Sequence, residues 1–144
     1  MLQVSNPAKL MCGVTLIAVP VIEYAGVSLL KMFLMREPGY MEYSSRRRLT
    51  RAGHAHAGVL LILSLICQVL VDSAELPPGL SWLVRIAVPA SAILIPLGFN
   101  LSTGSPPSDQ PEGGVQLAFC GDFILAVSLL VLATGLVNAA VHGL

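Results

Sequence analysis

Charged and aromatic residues are scarce in this chain of 144 residues. Asp, Glu, Lys and Arg make up 11% of it and Phe, Trp and Tyr 6%, whereas 55% is hydrophobic. A soluble domain carries about 25% charged residues, and so apolar a protein without net charge would be expected to precipitate from water. The eight basic and eight acidic residues give no electrostatic reason to bind nucleic acid. The composition therefore argues against a soluble enzyme and a nucleic-acid-binding protein, and it predicts lipid as the solvent.

Several chemical motifs are also missing. The sequence contains no Walker A loop, G-x-G-x-x-G, H-E-x-x-H or G-x-S-x-G, which argues against the nucleotide-binding, zinc-protease and serine-hydrolase sites that these motifs build. Its three cysteines, Cys12, Cys67 and Cys120, are scattered without a C-x-x-C pair. We therefore interpret them as small apolar side chains rather than as a disulfide framework or a metal cluster.

Long apolar runs are what the chain has in abundance. A helix needs about 20 mostly apolar residues to cross a bilayer, and polar segments rich in Pro and Gly separate four such runs. The sequence predicts an all-α, up-down bundle of four transmembrane helices in a single domain, bent at Pro20 and at Pro89 and Pro96. The predicted spans are residues 10–34, 53–71, 82–101 and 115–141.

The basic residues are unevenly distributed between the connecting segments. Residues 36–51 contain five arginines, whereas residues 72–81 and 102–114 contain acidic residues and no Lys or Arg. Because positively charged loops stay in the cytoplasm, we expect residues 36–51 and 102–114 to be cytoplasmic and both termini to lie outside. The expected location is a bacterial-type inner or plasma membrane.

The second span contains the segment RAGHAHAGVLL, whose two histidines are flanked by small residues. At 100° per residue His54 and His56 point about 200° apart, so they are suited to two centres rather than to one ion. A His-x-His helix is similar to one in subunit I of the heme-copper oxidases, over about three residues. A position near the helix N-terminus would keep the rings neutral and competent as ligands. We expect heme or a transition metal, with His54 as the preferred ligand; the alternatives are interfacial histidines that bond to loops or headgroups, and proton transfer.

Two carboxylates lie within predicted spans. Glu23 follows Pro20 at mid-helix, where a carboxylate is typical of a proton or cation site. Asp122 shares its helical face with four alanines, at positions 118, 126, 133 and 140, and such a small-residue stripe predicts close helix packing. The alternative for both carboxylates is a structural hydrogen bond to a neighbouring helix.

The up-down order of the helices predicts that several of these polar residues share one membrane leaflet. We expect a cytoplasmic-side pocket formed by His54, His56 and Asp122, which are the candidate metal ligands, with Asn100 and Lys31 in support. His142 falls at the opposite end of the bundle.

Three functions fit this pattern. The first is a cofactor protein that binds heme or a metal through His54 and His56 and acts in membrane electron transfer. The second is a small proton- or ion-coupled transporter or channel subunit that uses Glu23 and Asp122. The third is an accessory subunit without chemistry of its own. A bundle this small is expected to form a homo-oligomer or to belong to a larger membrane complex.

Overall fold

The computed structural model describes residues 4–104, 110–111 and 113–143, and these residues form six helices and no strand. Four apolar segments are long enough to cross a bilayer, so the chain is an integral membrane protein built as a four-helix bundle, as predicted. The helices are α1 (Asn6–Ile17), α2 (Val19–Leu34), α3 (Pro38–Met41), α4 (Ser44–Val71), α5 (Pro78–Leu101) and α6 (Val115–His142). Helices α1 and α2 together make the first span.

Contacts at the two ends of the bundle confirm the up-down order. At one end, which we call the terminal end, Ser5 bonds to Asp72, and Nδ1 of His142 lies 2.5 Å from Oε2 of Glu75. At the other end, which we call the basic end, Nη2 of Arg46 donates to the carbonyl oxygen of Gly104 at 2.7 Å. The chain therefore reverses direction at each connection.

Proline affects the first and third spans differently. The first span breaks at Ala18, between α1 and α2, two residues before Pro20. Helix α5 continues through both Pro89 and Pro96. Proline has no N–H and leaves the carbonyl four residues earlier without its helical donor. Pro89 leaves the carbonyl of Arg85 without its helical donor, and this carbonyl instead accepts a hydrogen bond from Nε2 of Gln68 at 2.9 Å.

The tightest packing joins α5 and α6 through glycines. A Cβ added at Gly98 would lie 2.4 Å from the backbone nitrogen of Ala118, and one at Gly121 would lie 2.8 Å from the side chain of Ile95. Close approach of small residues is a main source of helix association in lipid. Buried serines in these spans donate to carbonyls of their own helix four residues earlier, so they need no partner across the interface; they are Ser64, Ser91 and Ser128.

The first span is packed much more loosely than its neighbours. Only 6% of its most apolar stretch is buried inside the protein, compared with 33% for the spans in α4 and α5. The hydrophobic core lies between α4, α5 and α6 instead, near the terminal end; its buried members are Cys67, Val71, Val84, Val88 and Leu132. The first span therefore lies against one side of a three-helix unit.

The segment predicted as a basic loop is largely helical, which is a correction. Helix α3 lies within residues 36–51, and α4 begins at Ser44, nine residues before the predicted start at Gly53. Hydropathy marks the part of a helix that lies in lipid, whereas arginine is a good helix former that extends the helix beyond the apolar run.

Candidate functional site

The two histidines of the second span lie well inside α4 and face different neighbours. His54 is the eleventh residue of the helix, about 15 Å from its start at 1.5 Å per residue. The prediction that the N-terminus of the helix keeps the rings of His54 and His56 neutral is therefore wrong, because the effect of a helix N-terminus is confined to the first turn. His54 faces α2, and His56 faces α5 and α6. The predicted divergence of the two rings is confirmed.

His56 has the geometry of a ligand. Its Nδ1 lies 2.8 Å from the carbonyl oxygen of Ala52, and because a carbonyl only accepts, this contact requires the proton to be on Nδ1. In the neutral ring, Nε2 then carries the free lone pair. The ring also packs against Phe99, with centroids 4.9 Å apart. The backbone bond thus fixes both the orientation and the tautomer of His56, in the way that ligating histidines are commonly held.

The side chain of His56 lines a cavity of about 310 Å³ between α4, α5 and α6 at the basic end. Asp122 lines the same cavity, so the structure brings these two predicted residues together. The other walls are mainly apolar and include two aromatic rings; they comprise Leu49, Ile95, Phe99, Ser102, Pro111, Val115, Ala118 and Phe119. An imidazole and a carboxylate therefore line the same, otherwise mainly apolar cavity.

The face of α6 that carries Asp122 is not the packed face, which corrects the prediction from the alanine stripe. Asp122 and the alanines at 126, 133 and 140 are exposed, whereas Gly121, Ser128, Leu132 and Gly135 are buried. The physical reason is size. Glycine admits a closer neighbour than alanine does, and a Cβ at Gly135 would lie 2.5 Å from Leu76.

His54 lies in a different environment, between α4 and the first span. A Cβ added at Gly26 would lie 2.9 Å from both Cε1 and Nε2 of His54, so the ring occupies the space that glycine leaves. Its Nδ1 is buried and has no hydrogen-bond partner in the part of the chain that the structure describes. His54 shares a cavity of about 280 Å³ with Asn100, whose Nδ2 donates to the carbonyl of Pro96 at 2.9 Å. The expected single pocket is thus divided between two sides of α4.

The remaining predicted residues lie apart from both histidines. Glu23 and Lys31 are exposed on α2, and neither lines the cavities that contain His54 or His56. Among the described residues, no three His, Cys, Asp or Glu side chains are close enough to hold a metal ion. The structure therefore does not assemble His54, His56 and Asp122 into one metal site.

A buried polar network at the terminal end was missed by the sequence analysis. The Arg85 side chain is 6% exposed; its Nη1 donates to the backbone oxygen of Gln68 at 3.0 Å, and its Nη2 pairs with the carboxylate of Asp72. Asp72 also accepts from the backbone nitrogen of Ser5 at 2.9 Å and from the Ser5 hydroxyl at 2.6 Å. The network joins the first span, α4 and α5. A polar stripe on α4 that includes Gln68 and Asp72 was the available signal, together with an arginine inside the next span.

The electrostatics of Asp72 reflect opposing effects. Partial burial by itself raises the pKa of this carboxyl, but the hydrogen bonds from Ser5 and the hydrogen bond and charge of Arg85 outweigh it, so the pKa is lowered. Asp72 is therefore a structural anion, held ionised by its partners.

Comparison with known proteins adds no relative to this picture. No protein family, curated protein or solved structure matches the chain.

Proposed function

We propose that this integral membrane protein binds heme through His56 and serves in membrane electron transfer. The observation that carries the proposal is the bond from Nδ1 of His56 to the Ala52 carbonyl, which leaves the lone pair of the neutral ring on Nε2, in a residue that lines an apolar pocket. A backbone acceptor on the second ring nitrogen raises ligand basicity and holds the ring in place. This assignment moves the preferred ligand from His54 to His56.

The residues of the pocket suit heme better than a bare metal ion. A bare transition metal needs three or four protein ligands, and the described residues offer no cluster of three. Heme supplies four nitrogen ligands itself and needs one axial residue from the protein. The flat ring system would also match the aromatic walls at Phe99 and Phe119.

The polar residues of the His56 pocket would have separate roles. Nε2 of His56 would hold the iron, and a bound heme would supply one-electron chemistry. Asp122, in the same pocket, would orient a polar edge of the ligand or hold a proton.

An absorption spectrum of the detergent-purified protein, expressed with heme supplementation, tests the proposal. We expect a Soret band that is lost in His56→Ala and retained in His54→Ala and His142→Ala, which serve as matched controls. A colourless wild type, or a band that survives in His56→Ala, would overturn the assignment. Metal analysis of the same samples distinguishes heme from a bare ion.

Proton transfer is the second candidate, and the shared pocket of His56 and Asp122 favours it. An imidazole and a carboxylate that line one apolar pocket are the side chains that general acid–base chemistry uses. This candidate predicts proton flux in liposomes that is lost in Asp122→Asn while Glu23→Gln retains it, because Glu23 lies on a separate face. Equal loss in both variants would instead support the sequence-based pairing of the two carboxylates.

We further propose that the protein works as a homo-oligomer or as a subunit of a membrane complex, with the basic end cytoplasmic in a bacterial-type membrane. Glu23 supports this proposal because it is exposed near the middle of the first span, where facing lipid is unfavourable by about 3 kcal/mol. The exposed alanines of α6 offer a second face for close helix packing. A purely accessory role predicts that partners co-purify and that no single polar substitution abolishes function.

A further inference from the structure

Three cavities lie next to one another between the first span and helices α4 and α5, and each shares lining residues with its neighbour. The one at the basic end measures about 440 Å³ and shares Met32, Thr50 and Asn100 with the next, of about 280 Å³. That cavity in turn shares Ala57 and Pro96 with a third, also of about 280 Å³, which reaches the break between α1 and α2. Because neighbouring cavities have common walls, we treat them as one crevice. The crevice exists because the first span packs loosely against its neighbours.

The walls of the crevice change from polar to apolar with depth. The mouth at the basic end is lined by polar groups that include Arg46, Tyr40, Glu37 and Thr103. The deep end is almost entirely apolar; its lining includes Val14, Ile22, Leu61, Pro89 and Ile93. A polar mouth above an apolar channel has the form of a site for an amphiphile with one head and a chain.

Two orphaned polar atoms lie on this crevice. Nε of Arg46 and Nδ1 of His54 are the buried side-chain nitrogens without a hydrogen-bond partner among the described residues. Arg46 lines the mouth, and His54 lines the cavity below it. Buried polar atoms in native proteins almost always have a partner. Both nitrogens that lack a partner line the same crevice, which indicates that a polar group of a ligand binds there.

The charge around the mouth selects an anion. Residues 31–51 contain six Lys and Arg and two Glu, which leaves a net charge of +4. Arg46 is held in place by Nη1 and Nη2 bonds to the carbonyls of Gly39 and Gly104, and its buried Nε–H is left without an acceptor among the described residues. A phosphate oxygen is the acceptor that matches such a fixed guanidinium.

The crevice also borders a cavity on the lipid side of α2. This cavity of about 350 Å³ shares Tyr40, Leu29 and His54 with the crevice, and its other walls are Arg51 and the exposed side chains of Leu30 and Phe33. An acyl chain could therefore enter from the bilayer, and a second chain could lie outside α2. This arrangement favours a lipid of the surrounding membrane over a water-soluble anion.

We propose that the crevice binds one anionic phospholipid, with its phosphate at Arg46 and one acyl chain between the first span and helices α4 and α5. The site is independent of the His56 pocket, which lies on the other side of α4. The lipid would fill the space between the first span and the three-helix unit, and its phosphate would accept a hydrogen bond from Nε of Arg46.

Native mass spectrometry of the full chain tests this proposal. The protein is incubated in detergent with phosphatidylglycerol or with phosphatidylcholine that has the same acyl chains. Both lipids offer a phosphate oxygen to Arg46, but phosphatidylcholine also brings a cationic choline group to a mouth of net charge +4. Because like charges repel, we expect one phosphatidylglycerol bound at least about tenfold more tightly than phosphatidylcholine. Equal binding of the two lipids, or no retained lipid, would overturn the proposal.

Two pairs of variants locate the lipid. Ala57→Leu fills the crevice, whereas Ala55→Leu adds the same side chain at an exposed position outside it. Arg46→Gln removes the phosphate donor, whereas Arg48→Gln removes an exposed charge of the same run. We expect about tenfold weaker phosphatidylglycerol binding for Ala57→Leu and Arg46→Gln and wild-type binding for the two controls. Equal behaviour of Ala57→Leu and Ala55→Leu would overturn the location even if Arg46→Gln failed to fold.

Discussion

Replacing Arg85 by methionine should destabilise the protein by about 3 kcal/mol, the low end of the range for removing one partner of a buried ion pair. The low end applies because the Asp72 side chain is 15% exposed, whereas that of Arg85 is 6% exposed, so water can partly solvate the carboxylate that remains. The change also leaves the backbone oxygen of Gln68 without its donor. Methionine preserves much of the apolar stem, so the loss reports on the polar contacts.

A double-mutant cycle with Asp72→Asn measures the interaction itself. Unfolding of the detergent-solubilised protein is followed by circular dichroism as a denaturing detergent is titrated. We expect a coupling energy of about 1–2 kcal/mol between Arg85→Met and Asp72→Asn. The exposed pair of His142 and Glu75 is the matched control, and His142→Ala should change the stability by less than about 1 kcal/mol. Additive effects at Arg85 and Asp72 would refute the buried network as a source of stability.

Three further predictions follow from single side chains. Gly98→Ala should destabilise the bundle by at least about 2 kcal/mol, since the added Cβ would meet the backbone of Ala118. A Cβ at Gly58 would have nothing within 4 Å, so Gly58→Ala should stabilise the bundle by up to about 1 kcal/mol. Equal shifts of the thermal unfolding temperature in the two variants would contradict this prediction. Glu23→Leu should reduce the oligomeric fraction measured by light scattering, and an unchanged mass would contradict the proposed partner. Because the pKa of Asp72 is lowered, the contribution of this carboxylate to the stability of the protein should be complete above the ordinary aspartate pKa of about 3.9 and be lost as the pH falls below it. Asp72→Asn should not show this loss of stability when unfolding is measured as a function of pH. An Asp72→Asn variant that still lost stability in the same pH range would contradict the role of Asp72.

The number and order of the spans could be predicted because lipid imposes a simple requirement. Each segment needs a long apolar run, and the predicted span 115–141 matches α6 (Val115–His142) almost residue for residue. The early start of α4 could not be predicted in this way. Its first turns contain Arg46, Arg47 and Arg48, which lie outside the apolar run, and hydropathy carries no information about helix there.

The site was harder to predict because it depends on which faces meet. The opposite directions of His54 and His56 follow from helical geometry alone. The packed face of α6 did not follow, because the alanine stripe and the stripe through Gly121 and Gly135 both offer small residues. Only the position of α5 decides between them. The bond from His56 to Ala52 also depends on a side-chain rotamer that no sequence pattern specifies.

The loose attachment of the first span has a consequence for biosynthesis. This span leaves the ribosome before α4, α5 and α6 exist, so it must remain in the bilayer without its partners until they are inserted. Its surface suits that interval, because most of its large side chains face outward in the finished protein and are apolar; they include Leu16, Ile17, Val21, Val27, Leu30 and Phe33. The carboxylate of Asp72, which bonds to Ser5, directly follows α4. Anchoring of the N-terminal segment therefore has to wait until the second span has been made.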